Sequence, residues 1–495
     1  MINTVVLEHP RMPSTKRFND IANTPLWSCL MGGYAAAALD RAGFHTRFMD
    51  GAQGGWSFRE TEEKILCSAP ALLCINAVYF WEHTILFFDF LEDLKKKGFN
   101  GHINLFGFFP TLVYGEILEK WSAVDSVAVG EFEHTLVELA NRLDKGEAFH
   151  GIEGLASRKN GGLIKTPVRS PEKNPDHFAF PWRSSLEGTV TVLASRGCYN
   201  HCSFCPVPSF YNQGPLWRGR TPENIALEMS QLVARGVKNF YFADPNFIGP
   251  GRRGKKRVLD LLTLIEPLNI RFGMETRPAD LDDEILEKLT AAGFNSLLMG
   301  IESGSERVLG NLNKQSAARA GAGAIALCRR HGIEPEIGFL MFVPDSSVAD
   351  LRANMAFLME NNLLDRLERT ANLMCHCQIV LAGTSGYAAF EQLNRLEKSG
   401  LFGFEGEVTF LDPGVEWMAR RVVFACHTVL RSMSDKKSPI YWDMPDMTVS
   451  QKVNDYLVDL FFRLLDRVET RGPEENLFDM EKEISQDISG LLKSV

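Results

Sequence analysis

The sequence predicts an α/β protein with a doubly wound parallel-sheet domain over residues 1–145, a connector over 146–185, a partial (β/α)6 barrel of the TIM type over 186–385, and a mostly helical region over 386–495. Three observations lead there. Short apolar runs alternate with helical stretches in two separate series. A proline-rich stretch containing Pro167, Pro171, Pro175 and Pro181 divides the series. The length, 495 residues with 45% hydrophobic and 23% charged content, suits two or three globular domains.

In the first series, apolar strands fall at 4–7, 46–49, 71–75, 103–106 and 126–129. A helix over 32–42 stops at Gly43, and one over 84–97 ends in Lys95-Lys96-Lys97 before Gly98, where the helix dipole favours cations and glycine caps the chain. A third helix covers 133–143. Five strands in βα order make a Rossmann-like sheet that binds a ligand at its carboxyl edge. Asn160-Gly161 marks a small hairpin inside the connector. In the second series, strands are expected near 189–194, 239–243, 270–274, 296–300, 336–342 and 372–380, followed by helices such as 451–468.

The most informative residues are Cys198, Cys202 and Cys205, a CxxxCxxC run after the strand at 189–193. Three thiolates at this spacing suit three irons of a 4Fe–4S cluster and leave the fourth iron open to chemistry. The next cysteine is Cys328, too far along the chain to be assumed as a fourth ligand. A zinc knuckle is the alternative, with His201 as its one local candidate for a further ligand. Cys375 and Cys377 share one face of the expected sixth strand, where two buried thiols are a better reading than a second metal site.

This run, with an aromatic residue before its third cysteine, resembles the radical S-adenosylmethionine (SAM) superfamily, and the likeness extends over about residues 186–345. The resemblance implies that Phe204 lies against the adenine of SAM and that Asp244 accepts the methionine ammonium. It implies that Glu275 and Arg277 follow the third strand, with Arg277 opposite the methionine carboxylate. Gly300 lets backbone approach the ligand, Glu302 or Ser303 meets the ribose, and Lys314 adds positive charge. The chain departs from the family in lacking Gly-Gly-Glu after the second strand, which puts the ammonium acceptor in doubt.

The N-terminal series resembles the cobalamin-binding domain that precedes many radical SAM domains, through residues 30–43, 107–111 and 129–136. On that likeness Gly33, Gly107, Pro110, Thr111, Gly130 and Glu131 border the cofactor, with Glu131 bonding within its loop and Glu133 starting a helix. No Asp-x-His-x-x-Gly is present, so cobalt is expected to meet no protein histidine; His9, His83 and His134 are not assigned to it.

The resemblance implies a cobalamin-dependent radical SAM enzyme that uses a 4Fe–4S cluster, SAM and cobalamin to methylate an unactivated carbon of a small metabolite. A ring-forming enzyme similar to anaerobic protoporphyrin ester cyclase, and a non-catalytic redox or cobalamin sensor, are the alternatives. A low-potential donor such as flavodoxin or ferredoxin is the implied partner. Net charge −9 argues against a nucleic-acid surface, and no apolar run has the length of a membrane span. Ten cysteines without a secretion signal point to a reducing cytoplasm. No residue can be given a catalytic role toward the substrate from sequence.

Overall fold

The computed structural model describes residues 1–12, 14, 30–211, 216–472 and 477–493, the side chains of 477–479 excepted. The N-terminal strands are β1 (Asn3–Glu8), β2 (His45–Asp50), β3 (Leu72–Asn76), β4 (His102–Phe106) and β5 (Ser126–Ala128). They pair in parallel in the order β2-β1-β3-β4-β5, a doubly wound arrangement in which strands are added first on one side of β1 and then on the other. β3 reads Leu-Leu-Cys-Ile-Asn and is buried along its whole length, because helices cover both faces of the sheet.

Two helices there escaped the sequence reading. Phe58–Ser68 begins with a capping box between Ser57 and Glu60, a signal present in the sequence. Phe108–Lys120 follows Gly107 directly, with Pro110 in its first turn. The hairpin at Asn160-Gly161 is formed by β6 (Leu155–Lys159) and β7 (Gly162–Lys165). It is not free within a connector. β6 pairs antiparallel with β5 and extends the sheet to seven strands.

The second sheet has five parallel strands in sequential order: β8 (Thr189–Val192), β11 (Asn239–Phe242), β12 (Arg271–Thr276), β13 (Phe294–Glu302) and β14 (Glu336–Phe339). Between them, β9 (Ser195–Gly197) and β10 (Trp217–Gly219) form a short antiparallel ribbon. The expected sixth strand is corrected. Leu367–Cys375 is a helix, and the strand shrinks to one parallel bridge between Phe342 and Cys377. Leu367, Ala371 and Met374 are buried at helical spacing, and the helix packs on Pro413–Ser434, so tertiary packing favours the helix. Cys375 therefore closes a helix and does not share a strand face with Cys377.

The remaining chain is mostly helical, with Pro413–Ser434, Met447–Arg471 and Leu477–Leu492 packed on the barrel core. A small sheet of β15 (Val380–Leu381), β16 (Leu396–Ser399) and β17 (Glu405–Val408) interrupts it. Phe402 and Phe404 beside that sheet pack into the N-terminal core against Phe109, so the C-terminal region joins the two domains. Among the described residues no helix is long and apolar enough to cross a membrane.

Candidate active site

The cysteine loop leaves β9 through Gly197, whose positive φ and close approach to the Leu216 carbonyl exclude a side chain. Three contacts from distant segments hold it. Ser203 N–H donates to Leu312 O at 2.9 Å, Asn313 Nδ2 to His201 O at 2.8 Å, and Gly386 N–H to Ser203 O at 2.8 Å. Cys198, Cys202 and Cys205 are half-buried and line one cavity of about 440 Å³. Burial pushes the Cys198 and Cys202 thiols up, and Cys205 up to about 12, so loading with iron must release protons. Among the described residues no three His, Cys, Asp or Glu are placed to hold a single ion. Thiolates that each take a different iron have no need to converge in that way.

One wall of the cavity is the carboxyl edge of the barrel. Glu275, Arg277, Gly300, Glu302 and Lys314 all line it, with Gly338 behind them. Lys314 Nζ donates to Glu302 Oε1 at 2.7 Å, and both side chains are buried. Burial alone would lower the Lys314 pKa, but Glu302, together with the Cys202 sulfur, more than offsets it and raises it. A Cβ on Gly300 would lie 2.5 Å from Glu302 Oε1 and 2.9 Å from Lys314 Nζ, so this glycine makes room for the pair. Arg277 Nη2 donates to the carbonyls of Lys314 and Gln315 at 2.9 and 3.1 Å, while its buried Nε has no partner among the described residues. Burial, helped by the Asp244 charge, lifts the Glu275 carboxyl to about 7, and its hydrogen bond from the Tyr241 hydroxyl is long at 3.4 Å. Phe204 lines the same wall and packs with Leu312 and Val343.

Two expected ligand residues are not in this wall. Asp244 is fully buried and accepts from Ala194 N–H at 3.0 Å and Ser195 Oγ at 2.5 Å, so it ties the start of β9 to the end of β11 and offers nothing to the cavity. Ser303 Oγ donates to Asn354 Oδ1 at 2.7 Å and accepts from Ser305 N–H at 3.0 Å, which leaves Glu302 as the cavity-facing member of that loop.

The opposite wall is the carboxyl edge of the N-terminal sheet: Asn76, Ala77, Val78, Tyr79, Trp81, Phe108 and Phe109. Gly107 has φ +112°, and a Cβ there would meet Asn76 Oδ1 at 2.5 Å. Asn76 Nδ2 and Gly32 N–H both donate to buried Glu8 at 2.9 Å. Thr111 and Gly130 line a neighbouring cavity of about 420 Å³, joined by a 3.0 Å bond from Gly130 N–H to Thr111 Oγ; Cys202 and Cys205 border both cavities. Pro110 is buried within its helix, and Gly33 packs under the Trp182 backbone, which donates to Gly33 O at 3.1 Å. Gly33 is therefore a packing glycine away from both cavities. His9 holds its own loop. Nδ1–H donates to Pro10 O at 2.7 Å and Nε2 accepts from Val78 N–H at 3.1 Å.

Glu131 also differs from its expected local role. It accepts from Arg196 and Arg218, both at 3.0 Å, and from Glu172 N–H at 2.7 Å, while Arg196 donates to Glu133 at 2.6 Å. Two carboxylates and two guanidiniums thus lock the N-terminal sheet to the strand entering the cysteine loop. Sequence reasoning missed both arginines, since an isolated arginine carries no motif.

Residues 192–358 match the family model of the Radical SAM superfamily. An uncharacterized methyltransferase of Pyrococcus horikoshii is 29% identical over 252 residues, covering 48% of this chain and 54% of that protein. The anaerobic magnesium-protoporphyrin IX monomethyl ester cyclase of Synechocystis is 26% identical over 304 residues, covering 59% of this chain and 60% of that protein. The matches thus span little more than half of either relative. The structure of OxsB, a cobalamin-dependent S-adenosylmethionine radical enzyme, superimposes with a TM-score of 0.76 at 18% identity, over 99% of this chain and 75% of that one. Residues 192–358 thus match the Radical SAM superfamily, and the chain as a whole has the fold of the OxsB structure.

Proposed function

We propose that this protein is a cobalamin-dependent radical SAM enzyme that methylates an unactivated carbon of a small metabolite. The observation that carries the reading is the shared cavity: three loop thiols, the carboxyl edge of the barrel and the carboxyl edge of the N-terminal sheet all open onto it. The donor set fits the cofactors. Cys198, Cys202 and Cys205 would hold a 4Fe–4S cluster with one iron open, and Glu302, Lys314, Arg277 and Glu275 would receive SAM. Asn76 to Tyr79, Phe108 and Phe109 would face cobalamin, with Thr111 and Gly130 at its edge. When bound, the cluster with SAM supplies a 5′-deoxyadenosyl radical, and cobalamin supplies the methyl group.

The chain's own residues bind, orient and exclude water. Glu302 is held by Lys314 and lines the cavity, where it would meet ribose hydroxyls. Arg277 keeps its unpaired Nε for a carboxylate. Glu275 replaces Asp244 as acceptor for an ammonium, because a buried carboxylate with one long hydrogen bond gains most from a cation. Tyr79, Phe109 and Phe404 give the cavity an apolar side that shields a radical from solvent. A low-potential flavodoxin or ferredoxin in the cytoplasm would supply the electron.

The likeness to the ester cyclase supports a second reading, in which the same cofactors close a ring. A non-catalytic sensor is the reading of another class. Anaerobic protein with dithionite and SAM separates them: either enzyme releases 5′-deoxyadenosine, with methyl-group incorporation marking the methyltransferase. A cluster-loaded protein that leaves SAM intact overturns both enzymatic readings.

A further inference from the structure

Asn200 lies inside the cysteine loop and is 2% exposed. Its Nδ2 donates to Cys202 Sγ at 3.1 Å and to Lys314 O at 2.8 Å. Both amide hydrogens are thereby engaged, while Oδ1 is buried with no partner among the described residues. Reversing the amide would set that oxygen against two acceptors, so the hydrogen-bond pattern fixes the orientation. The Lys314 carbonyl already receives Arg277 Nη2 at 2.9 Å. What Asn200 adds alone is the bond to sulfur.

The three cysteines differ in this respect. Cys198 and Cys205 are met by the backbone N–H groups of Asn200 and Val207. Cys202 receives its N–H from a side chain, which evolution or mutagenesis can change without altering the loop's course.

We propose that Asn200 is a positioning residue that sets the reduction potential of the iron–sulfur cluster through its hydrogen bond to Cys202 Sγ. The proposal rests on the reading that Cys198, Cys202 and Cys205 hold that cluster. Reduction adds one electron, and part of the added charge resides on the cysteine sulfurs. An N–H dipole aimed at sulfur stabilises the reduced form more than the oxidised form and raises the potential. In a site that must cleave SAM, this bond sets how readily a donor can deliver the electron.

The test compares anaerobically reconstituted wild type, Asn200→Ala and Asn313→Gly. Iron and sulfide are counted, and the cluster is titrated with dithionite under electron paramagnetic resonance, without SAM. Asn313→Gly is the control: it removes the 2.8 Å bond to His201 O in the same loop without touching sulfur, at a residue with φ +50° that glycine tolerates. Asn200→Ala is expected to keep its iron and lower the potential, so that the ratio of reduced to oxidised cluster at a fixed potential falls about tenfold, equivalent to about 59 mV for one electron. Asn313→Gly is expected to keep the wild-type potential. An unchanged potential in iron-loaded Asn200→Ala, or equal shifts in both variants, overturns the proposal. If Asn200→Ala loses iron, wild type labelled with 15N at the asparagine side-chain amide decides instead. Its reduced cluster should show a 15N hyperfine coupling, and absence of the coupling overturns the proposal. Wild type that takes up no iron overturns the cluster reading and this proposal together.

Discussion

Replacing Glu131 by Gln tests how the two domains are locked together. The Glu131, Arg196, Arg218 and Glu133 side chains are 5%, 6%, 3% and 1% exposed, and their charges cancel. Glu131→Gln keeps the shape but leaves one buried positive charge uncompensated. At an effective dielectric of about 20, each guanidinium about 4 Å from the carboxylate charge loses about 4 kcal/mol of attraction. Glutamine retains an acceptor oxygen and avoids desolvating a carboxylate, which returns several kcal/mol. The expected net loss is about 3–5 kcal/mol. Urea unfolding followed by tryptophan fluorescence reads it as a lower midpoint, and a cycle with Arg218→Gln should show strong coupling. The pH dependence gives a second check. Burial pushes the Glu131 carboxyl up, but Arg196 and Arg218, with the Glu172 N–H, more than offset that and hold it below the ordinary carboxylate range. A depressed folded pKa contributes stability above the unfolded value, lost as pH falls through the folded one. Wild type should therefore lose this contribution below about pH 4.5, and Glu131→Gln should lose less there. A loss under about 1 kcal/mol, or additive effects in the cycle, would refute the argument.

Further outcomes follow from the cavity. Alanine at Cys198, Cys202 or Cys205 should each abolish cluster-dependent SAM cleavage, checked by 5′-deoxyadenosine release; iron and sulfide for two clusters in wild type would bring Cys375 and Cys377 back as ligands. Glu302→Ala should weaken SAM binding at least tenfold in equilibrium dialysis while the iron content holds, and unchanged affinity would confine Glu302 to its bond with Lys314. If cobalamin binds, its Co(II) form should show no nitrogen superhyperfine splitting from a protein histidine, because both His9 nitrogens are engaged. Splitting that disappears in a variant of His9, His83 or His134 would show the reasoning wrong.

The buried parallel strands were legible because both their faces are covered, which makes them short continuous apolar runs such as Leu72–Asn76. The cysteine loop was legible because its three thiols lie within eight residues of sequence. The expected sixth strand failed where two periodicities compete. The strand expected at 372–380 has apolar residues near its start, but its first four residues belong to a helix in which Leu367, Ala371 and Met374 follow a helical period, and the helices of the C-terminal region supply the partner surface. Asp244 and Ser303 lie outside the cavity wall for a different reason. Each sits at a strand end where ligands bind, and only the approach of Ser195 and Asn354 shows that their polar atoms are already bonded. Glu131 was placed at a functional turn, but its partners Arg196 and Arg218 are 65 and 87 residues away, a separation no local pattern records.

The same long-range contacts explain why the site needs all parts of the chain. The barrel alone would leave the cysteine loop uncovered on the side facing Phe108 and Phe109. The N-terminal sheet brings an apolar wall, but that wall is itself held by the C-terminal region, where Glu405 accepts the Tyr79 hydroxyl at 2.7 Å and Phe404 packs on Tyr79. Gly386 N–H then closes on the loop carbonyl of Ser203, so one segment touches the wall's support and the loop it faces. Loosening any of these elements would admit water beside the thiols. A radical of the proposed kind would be kept from side reactions only while the cavity stays closed. The buried charges between the N-terminal sheet and β9 therefore do more than stabilise the fold: they hold the two walls at one spacing across the cavity.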